Sequence, residues 1–124
     1  MTTGRTLAQM CGTNELRAVG PDTTVAEAAR MMRDHRVGAV LVNDEGRLSG
    51  ILSERDVTYR AVAAGLDPNT TAVSAVMTRN VITASPETRA VNGLQQMAEN
   101  QIRHLPVVDG GSVIGIVSLR DFLA

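Results

Sequence analysis

GILSERD, residues 50–56, returns almost unchanged as GIVSLRD, residues 115–121. The same spacing of 65 residues places Pro21 over Pro86 without a gap in between. A single insertion would destroy such a register, so the agreement indicates an internal duplication rather than a chance likeness. The chain is therefore predicted to contain two copies of one structural unit.

The first copy predicts a helix followed by a strand. Thr24 with Glu27 three residues later is typical of a capping box, and the apolar spacing that follows extends this helix to about His35. VGAVLV, residues 37–42, is a short apolar run rich in β-branched residues, which is typical of a strand covered on both faces. A buried strand is therefore expected directly after the helix.

A hairpin and a second helix complete the first copy. Residues 43–46 have the composition of a turn, and residues 48–52 predict a returning strand, so the two strands should form an antiparallel hairpin. The second helix is predicted to begin at Ser53, with Gly65 as its C-cap. The order of one copy is thus helix, strand, strand, helix.

The second copy repeats this order, with a helix over residues 88–101 and strands over residues 105–108 and 113–117. Between the copies, GLDPNTT has the Gly, Pro and Asn that are typical of a linker. The predicted division of the chain is a first repeat with an N-terminal segment at 1–64, a linker at 65–75 and a second repeat at 76–124.

The composition excludes several classes of partner. Of the 124 residues, 44% are apolar and 20% are charged, and the net charge is -1. Nucleic acids and anionic membranes attract clustered positive charge, and single strands also need stacking aromatics, of which the chain has one Tyr and one Phe. We therefore predict no nucleic-acid and no membrane partner. No stretch is apolar enough for a signal peptide or a membrane span, which predicts a cytoplasmic location.

Cys11 is the single cysteine. A lone cysteine excludes an internal disulfide and a metal site made of cysteines, and it leaves an intermolecular bridge as the one covalent option. A small, half-buried thiol in a reducing compartment is the favoured interpretation.

The Ser-x-x-Asp within each heptad has two interpretations. Ser53 and Ser118 can each cap a helix, with Asp56 and Asp121 near its positive end. The same groups can bind a ligand, because helix-start amides attract anions and a carboxylate accepts hydrogen bonds from both hydroxyls of a ribose. The spacing alone leaves both interpretations open.

The second copy carries a family resemblance. HLPVVD precedes its turn and G-I-V-S-x-R-D follows it, in the order helix, strand, strand, helix. This pattern resembles a cystathionine β-synthase (CBS) domain, and two in tandem resemble a CBS pair, or Bateman module. The short linker is similar to that of small stand-alone bacterial two-CBS proteins, including the hypoxic-response type. The resemblance implies an α+β fold of two β-α-β-β-α repeats related by a pseudo-twofold axis.

The resemblance also implies a function. Such pairs usually sense adenine nucleotides (AMP, ADP or ATP) or related ligands such as S-adenosylmethionine, held in clefts between the repeats. They often form homodimers through their helices and act on a further protein, which here is unknown. No cofactor is required. The Ser and Asp of each motif meet phosphate and ribose, which would assign Ser53 with Asp56 and Ser118 with Asp121.

The two copies differ at the predicted ligand site. Glu54 adds a carboxylate where the second copy has Leu119, and the basic pair at 103–104 replaces Gly-Ala at 38–39. An anion should therefore prefer the second copy, where Arg can bind phosphate through two hydrogen bonds. The glycines that open the heptads would let a ligand approach the backbone closely. The predicted ligand-binding residues are Ser118, Asp121, Arg103, His104, Arg120, Thr78, Ser53, Asp56 and Thr13.

Catalysis is the weaker interpretation. No His lies near Ser53 in the sequence, His35 and His104 have no repeated counterpart, and no metal-ligand spacing is present. We therefore predict a sensor without catalytic or metal-binding residues. Two rivals remain, an interaction protein with clefts that bind nothing and an enzyme that uses Ser118 and His104.

Overall fold

The computed structural model describes residues 4–11 and 16–123, so the predicted ligand residue Thr13 lies outside the described residues. The described α-helices are α1 (Leu7–Cys11), α2 (Val25–His35), α3 (Glu54–Asp56) and α4 (Ala90–Asn100). The strands are β1 (Ala18–Val19), β2 (Ala39–Asp44), β3 (Arg47–Ser53), β4 (His104–Asp109) and β5 (Ser112–Ser118). A π-helical turn at Val57–Val62 continues α3, and 3-10 turns lie at Val73–Ala75 and Leu119–Leu123.

These elements form two units, each with its own core. The N-terminal unit consists of residues 17–81. The C-terminal unit combines residues 82–123 with the described part of the N-terminal segment, residues 4–11 and 16. The predicted boundaries follow the sequence repeat, whereas the units follow packing, so the two divide the chain differently.

A three-stranded sheet forms the N-terminal unit's centre. β1 pairs with β2 in parallel, and β2 pairs with β3 in the predicted antiparallel hairpin. β2 and β3 are joined by Glu45 and Gly46. Their φ angles are +51° and +80°, and a two-residue type I′ turn requires positive φ at both positions. Four successive residues of β2, 39–42, are buried, which confirms a strand covered on both faces.

Helix α2 covers this sheet. The side chain of Thr24 accepts a hydrogen bond from the amide of Glu27 at 3.1 Å, which confirms the predicted N-cap. The helix ends at His35, where Arg36 takes the left-handed conformation with φ of +55°. Its face at Val25 and Met32 is buried in the core, as the apolar spacing predicts.

The C-terminal unit repeats this plan with fewer strands. β4 and β5 form an antiparallel hairpin whose turn, Gly110-Gly111, also has positive φ at both residues. The parallel first strand is reduced to one bridge between Ala84 and Val107, the counterparts of Val19 and Val42. The two repeats make a mixed α+β fold, as predicted from the sequence.

In each unit, a segment that precedes the other repeat in the sequence packs against the core or pairs with a strand. In the C-terminal unit, Leu7 and Cys11 of α1 are buried against the core, and the amide of Leu7 donates to the carbonyl of Thr88 at 2.8 Å. In the N-terminal unit, Thr78 forms two backbone hydrogen bonds with Ile51, at 2.9 and 3.0 Å. Helix α1 was not predicted, although Leu7, Met10 and Cys11 have the spacing of one helical face.

Candidate functional site

The first joint, residues 50–56, connects β3 to α3. Ser53 has extended backbone geometry and ends the strand, while the amide of Glu54 donates to the carbonyl of Gly38 at 2.9 Å. The side chain of Ser53 accepts from the Asp56 amide at 3.2 Å, and Asp56 Oδ2 accepts from the Ser53 amide at 3.0 Å. This reciprocal pair is a capping box, so the capping interpretation is confirmed for the first joint.

The carboxylate of Asp56 has further partners within the N-terminal unit. The hydroxyl of Thr78 lies 3.2 Å from Oδ1 and 3.3 Å from Oδ2, and Arg60 Nε lies 3.7 Å from Oδ1. Asp56 is only 7% exposed. Both oxygens therefore already face donors of the chain itself, and a ribose would have to displace at least one of them.

Arg60 is a residue of this site that the sequence analysis missed. Its Nη1 donates to the carbonyls of Met77 at 3.1 Å and Val76 at 3.4 Å, besides the contact with Asp56. The signal that could have found it is the spacing of four residues between Asp56 and Arg60, which places opposite charges on one helical face. The contacts with residues 76 and 77 depend on tertiary packing.

The second joint, residues 115–121, brings together five of the predicted ligand residues. His104 and Ser118 are directly paired in the β4–β5 ladder. The amide of Leu119 donates to the carbonyl of Arg103 at 2.8 Å, the counterpart of the bond between Glu54 and Gly38. The amide of Ser118 donates to Asp121 Oδ2 at 2.7 Å, so the carboxylate lies at the same joint.

Exposure and charge distinguish the second joint from the first. Asp121 is half-buried, and among residues 4–11 and 16–123 its one recorded hydrogen bond is that from the Ser118 amide. Arg103 is exposed and His104 half-buried, whereas the first joint has the uncharged Gly38 and Ala39 at these positions. Within residues 4–11 and 16–123, the second joint therefore combines a half-buried carboxylate that accepts one hydrogen bond with the exposed Arg103.

The glycines of the joints face the chain itself, which corrects the expectation that they make room for a ligand. A Cβ built on Gly50 would lie 2.6 Å from Met77 Sδ and 2.9 Å from the carbonyl oxygen of Thr78. A Cβ built on Gly115 would lie 2.6 Å from Cys11 Sγ and 2.7 Å from its Cβ. The close approach that these glycines permit is used by protein atoms in both units.

Two predicted residues remain, Thr78 and Arg120. Thr78 belongs to the first joint through its contact with Asp56, and Arg120 is an exposed residue of the second joint. The guanidinium of Arg55 lies 5.3 Å from the centre of the Tyr59 ring, whereas the ion pair with Asp56 comes from Arg60. Cys11 is buried rather than half-buried.

Two structural findings concern metals and membranes. In the part of the chain that the structure describes, no three His, Cys, Asp or Glu side chains are grouped so that they could hold a metal ion. None of the described helices is long and apolar enough to cross a membrane.

Comparison with known proteins identifies the fold family. The CBS domain model matches residues 12–62 and 73–124. The CBS domain-containing protein YhcV of Bacillus subtilis is 40% identical over 109 residues, which are 88% of this chain and 77% of that protein. Two longer Arabidopsis thaliana relatives also match, but the chain spans only 20% and 18% of their length.

Solved structures agree with this match. A putative signal-transduction protein with CBS domains from Burkholderia ambifaria has a TM-score of 0.90 and 31% identity, over 95% of this chain and 90% of that one. Hypoxic Response Protein I, solved with two coordinated zinc ions, has a TM-score of 0.80 and 31% identity, over 95% of this chain and 96% of that one. The chain is therefore a tandem CBS-domain protein and belongs to the CBS-domain family.

Proposed function

We propose that this CBS pair is a regulatory sensor that binds an adenosine-containing ligand of the AMP, ADP or ATP class at the second joint. The observation that carries the proposal is the contrast between the two carboxylates. Within the described ranges 4–11 and 16–123, the half-buried Asp121 accepts one hydrogen bond, whereas the buried Asp56 faces three donors of its own chain. S-adenosylmethionine has the same adenosine moiety and is the second ligand to test.

The chemistry of the second joint suits a nucleoside phosphate. The carboxylate of Asp121 can accept hydrogen bonds from the two ribose hydroxyls. Arg103, which is exposed and directly precedes β4, can bind phosphate through two parallel hydrogen bonds. Glu54, which would repel phosphate, has the uncharged Leu119 as its counterpart here. The joint therefore combines one acceptor for the sugar with one cation for the phosphate.

Ligand binding provides the free energy for a regulatory response. A ligand present at a hundredfold excess over its Kd stabilises the bound state by about 2.7 kcal/mol. A free energy of this size is enough to change the population of an assembly or of a partner-binding state by about a factor of 100. In this proposal the output is a change in self-association or in the contacts with a further protein, and the chain itself carries out no reaction.

Thermal unfolding with AMP, ADP, ATP, NAD and S-adenosylmethionine tests the proposal. We expect the adenosine ligand that binds to raise Tm by about 10 °C at a hundredfold excess over its Kd. Asp121→Asn and Arg103→Gln should each abolish most of this increase, because Asn keeps the size of the carboxylate without its charge and Gln removes the cation.

Arg89→Gln is the matched control, because it removes an exposed Arg from the opposite end of α4, about 16 Å along the helix from its C-terminal end. This variant should keep the full increase in Tm. An unchanged Tm with all five compounds would contradict the sensor function, and a full increase in both Asp121→Asn and Arg103→Gln would place the ligand elsewhere.

A second candidate function is that of an interaction protein that needs no ligand. It is favoured by exposed apolar side chains on the helical segment after the first joint, where Tyr59 is 63% exposed and Val62 is 64% exposed. Such a protein would form a homodimer through these helices. Light scattering of the ligand-free protein decides this: a dimer that Val62→Asp dissociates and that AMP leaves unchanged supports this candidate.

The enzyme alternative has one structural point in its favour, the pairing of His104 with Ser118 across the hairpin. However, Asp121 accepts from the Ser118 amide, in the manner of a helix cap, rather than serving a nucleophile and its base. Nucleotide hydrolysis that Ser118→Ala abolishes would revive this alternative.

A further inference from the structure

We propose that Asp56 acts as an internal latch: it holds the strap, residues 76–78, against the first joint and thereby closes this joint to ligand. A further part of the inference rests on the proposed function. If the first joint is closed, one chain binds one adenosine ligand, at the second joint. Asp56 then has a role different from that of Asp121, although the two occupy the same position in the repeated heptad.

The side-chain contacts of the strap converge on one buried carboxylate. The hydroxyl of Thr78 reaches both oxygens of Asp56, at 3.2 and 3.3 Å. Arg60 also joins the strap to Asp56, because its guanidinium donates to the carbonyls of residues 76 and 77 and lies 3.7 Å from Oδ1. One carboxylate therefore anchors the strap directly through Thr78 and indirectly through Arg60.

Backbone pairing and burial strengthen this attachment. The amides of Thr78 and Ile51 donate to each other's carbonyls at 2.9 and 3.0 Å. Gly50 leaves no room for a Cβ beneath the strap, and Val76 and Met77 are 2% and 5% exposed. Opening the strap would break the backbone pair and expose two apolar side chains, so the open state is rare.

A ligand at the first joint has to compete with the latch. A ribose would need the lone pairs of Asp56 that Thr78 and Arg60 now face. Binding that requires a rare open state is weakened by the fraction of molecules in that state. Glu54 at the start of α3 adds a second carboxylate, which repels phosphate. These effects act in the same direction and leave the first joint without ligand.

Hydrogen exchange of the Ile51 and Thr78 amides measures the latch without any ligand. We expect Thr78→Val and Arg60→Gln each to speed this exchange by about tenfold relative to wild type. Thr58→Val is the matched control, since Thr58 is exposed on the helical segment after the joint, and it should change the exchange less than twofold. Exchange rates within twofold of wild type in both latch variants would overturn the latch.

Calorimetric titration with AMP then tests the consequence for ligand binding. We expect one site per chain in the wild type, and the same number with a Kd within twofold in Asp56→Asn. Thr78→Val keeps the Asp56 carboxylate but removes its strap donor, so it should add a second, weaker site. Asp121→Asn should not bind. Two sites in the wild type would overturn the inference. So would loss of the single site in Asp56→Asn while Asp121→Asn still binds AMP. A wild type that binds neither AMP nor the other compounds contradicts the sensor function, while the exchange experiment still decides the latch.

Discussion

The two joints differ by two letters in seven and yet hold their carboxylates in different environments. Asp56 is buried among three side-chain and backbone donors, whereas Asp121 is half-buried and accepts from the Ser118 amide. Among the described residues, two of the donors to Asp56 come from outside the heptad, namely Thr78 and Arg60. A repeated motif therefore reproduces a local cap, while the surrounding chain determines whether the capping residue can also bind a ligand.

The largest effect is expected from adding a Cβ to Gly50 and to Gly115, the glycines that open the two heptads. Gly50→Ala and Gly115→Ala should each lower the free energy of unfolding by about 2 kcal/mol, because each new Cβ would overlap atoms of its own unit. Urea unfolding of the two variants measures these losses. A loss below about 0.5 kcal/mol in either variant would show that the neighbouring segment moves away easily.

Compensating variants sharpen this comparison. The atoms opposite Gly115 belong to the Cys11 side chain, so Cys11→Gly should offset part of the loss in a double mutant. Opposite Gly50 lies the Thr78 carbonyl oxygen, which Met77→Ala leaves in place. We expect a coupling energy of about 1 kcal/mol for the Cys11 and Gly115 pair and a smaller one for Met77 and Gly50.

An effect of intermediate size is expected from removing the capping serine of each joint. Ser53→Ala removes the acceptor of the Asp56 amide and should lower the free energy of unfolding by about 1 kcal/mol. Ser118→Ala leaves the described bond from the Ser118 amide to Asp121 in place, so we expect a loss below about 0.5 kcal/mol. Equal losses in urea unfolding would mean that the two serines cap their joints alike.

The smallest effect is expected at the first hairpin turn. Glu45 has φ of +51°, which costs energy for any residue with a Cβ, and Asn tolerates this region better. Glu45→Asn should therefore raise the free energy of unfolding by about 0.5 kcal/mol, which urea unfolding measures. A loss in Glu45→Asn would mean that the Glu side chain contributes a contact worth more than the relief of strain.

Much of the fold was predictable because the repeat is in register and its local signals are strong. Helix α2 begins after the predicted cap at Thr24 and ends at His35, and both hairpins occupy the predicted positions. Helix α1 was missed because its five residues make a weak periodic signal. The strap was missed because its contacts with Arg60 and Asp56 join residues far apart in sequence, which no local pattern records.

The sequence by itself determined the duplication, the order of elements in each copy and the Ser-x-x-Asp cap, since these depend on local propensity and on repeat spacing. The tertiary structure decided which segment closes which unit, and it decided that Thr78 and Arg60 face Asp56. Whether a carboxylate is open to a ligand depends on the atoms around it, and long-range packing alone brings those atoms together.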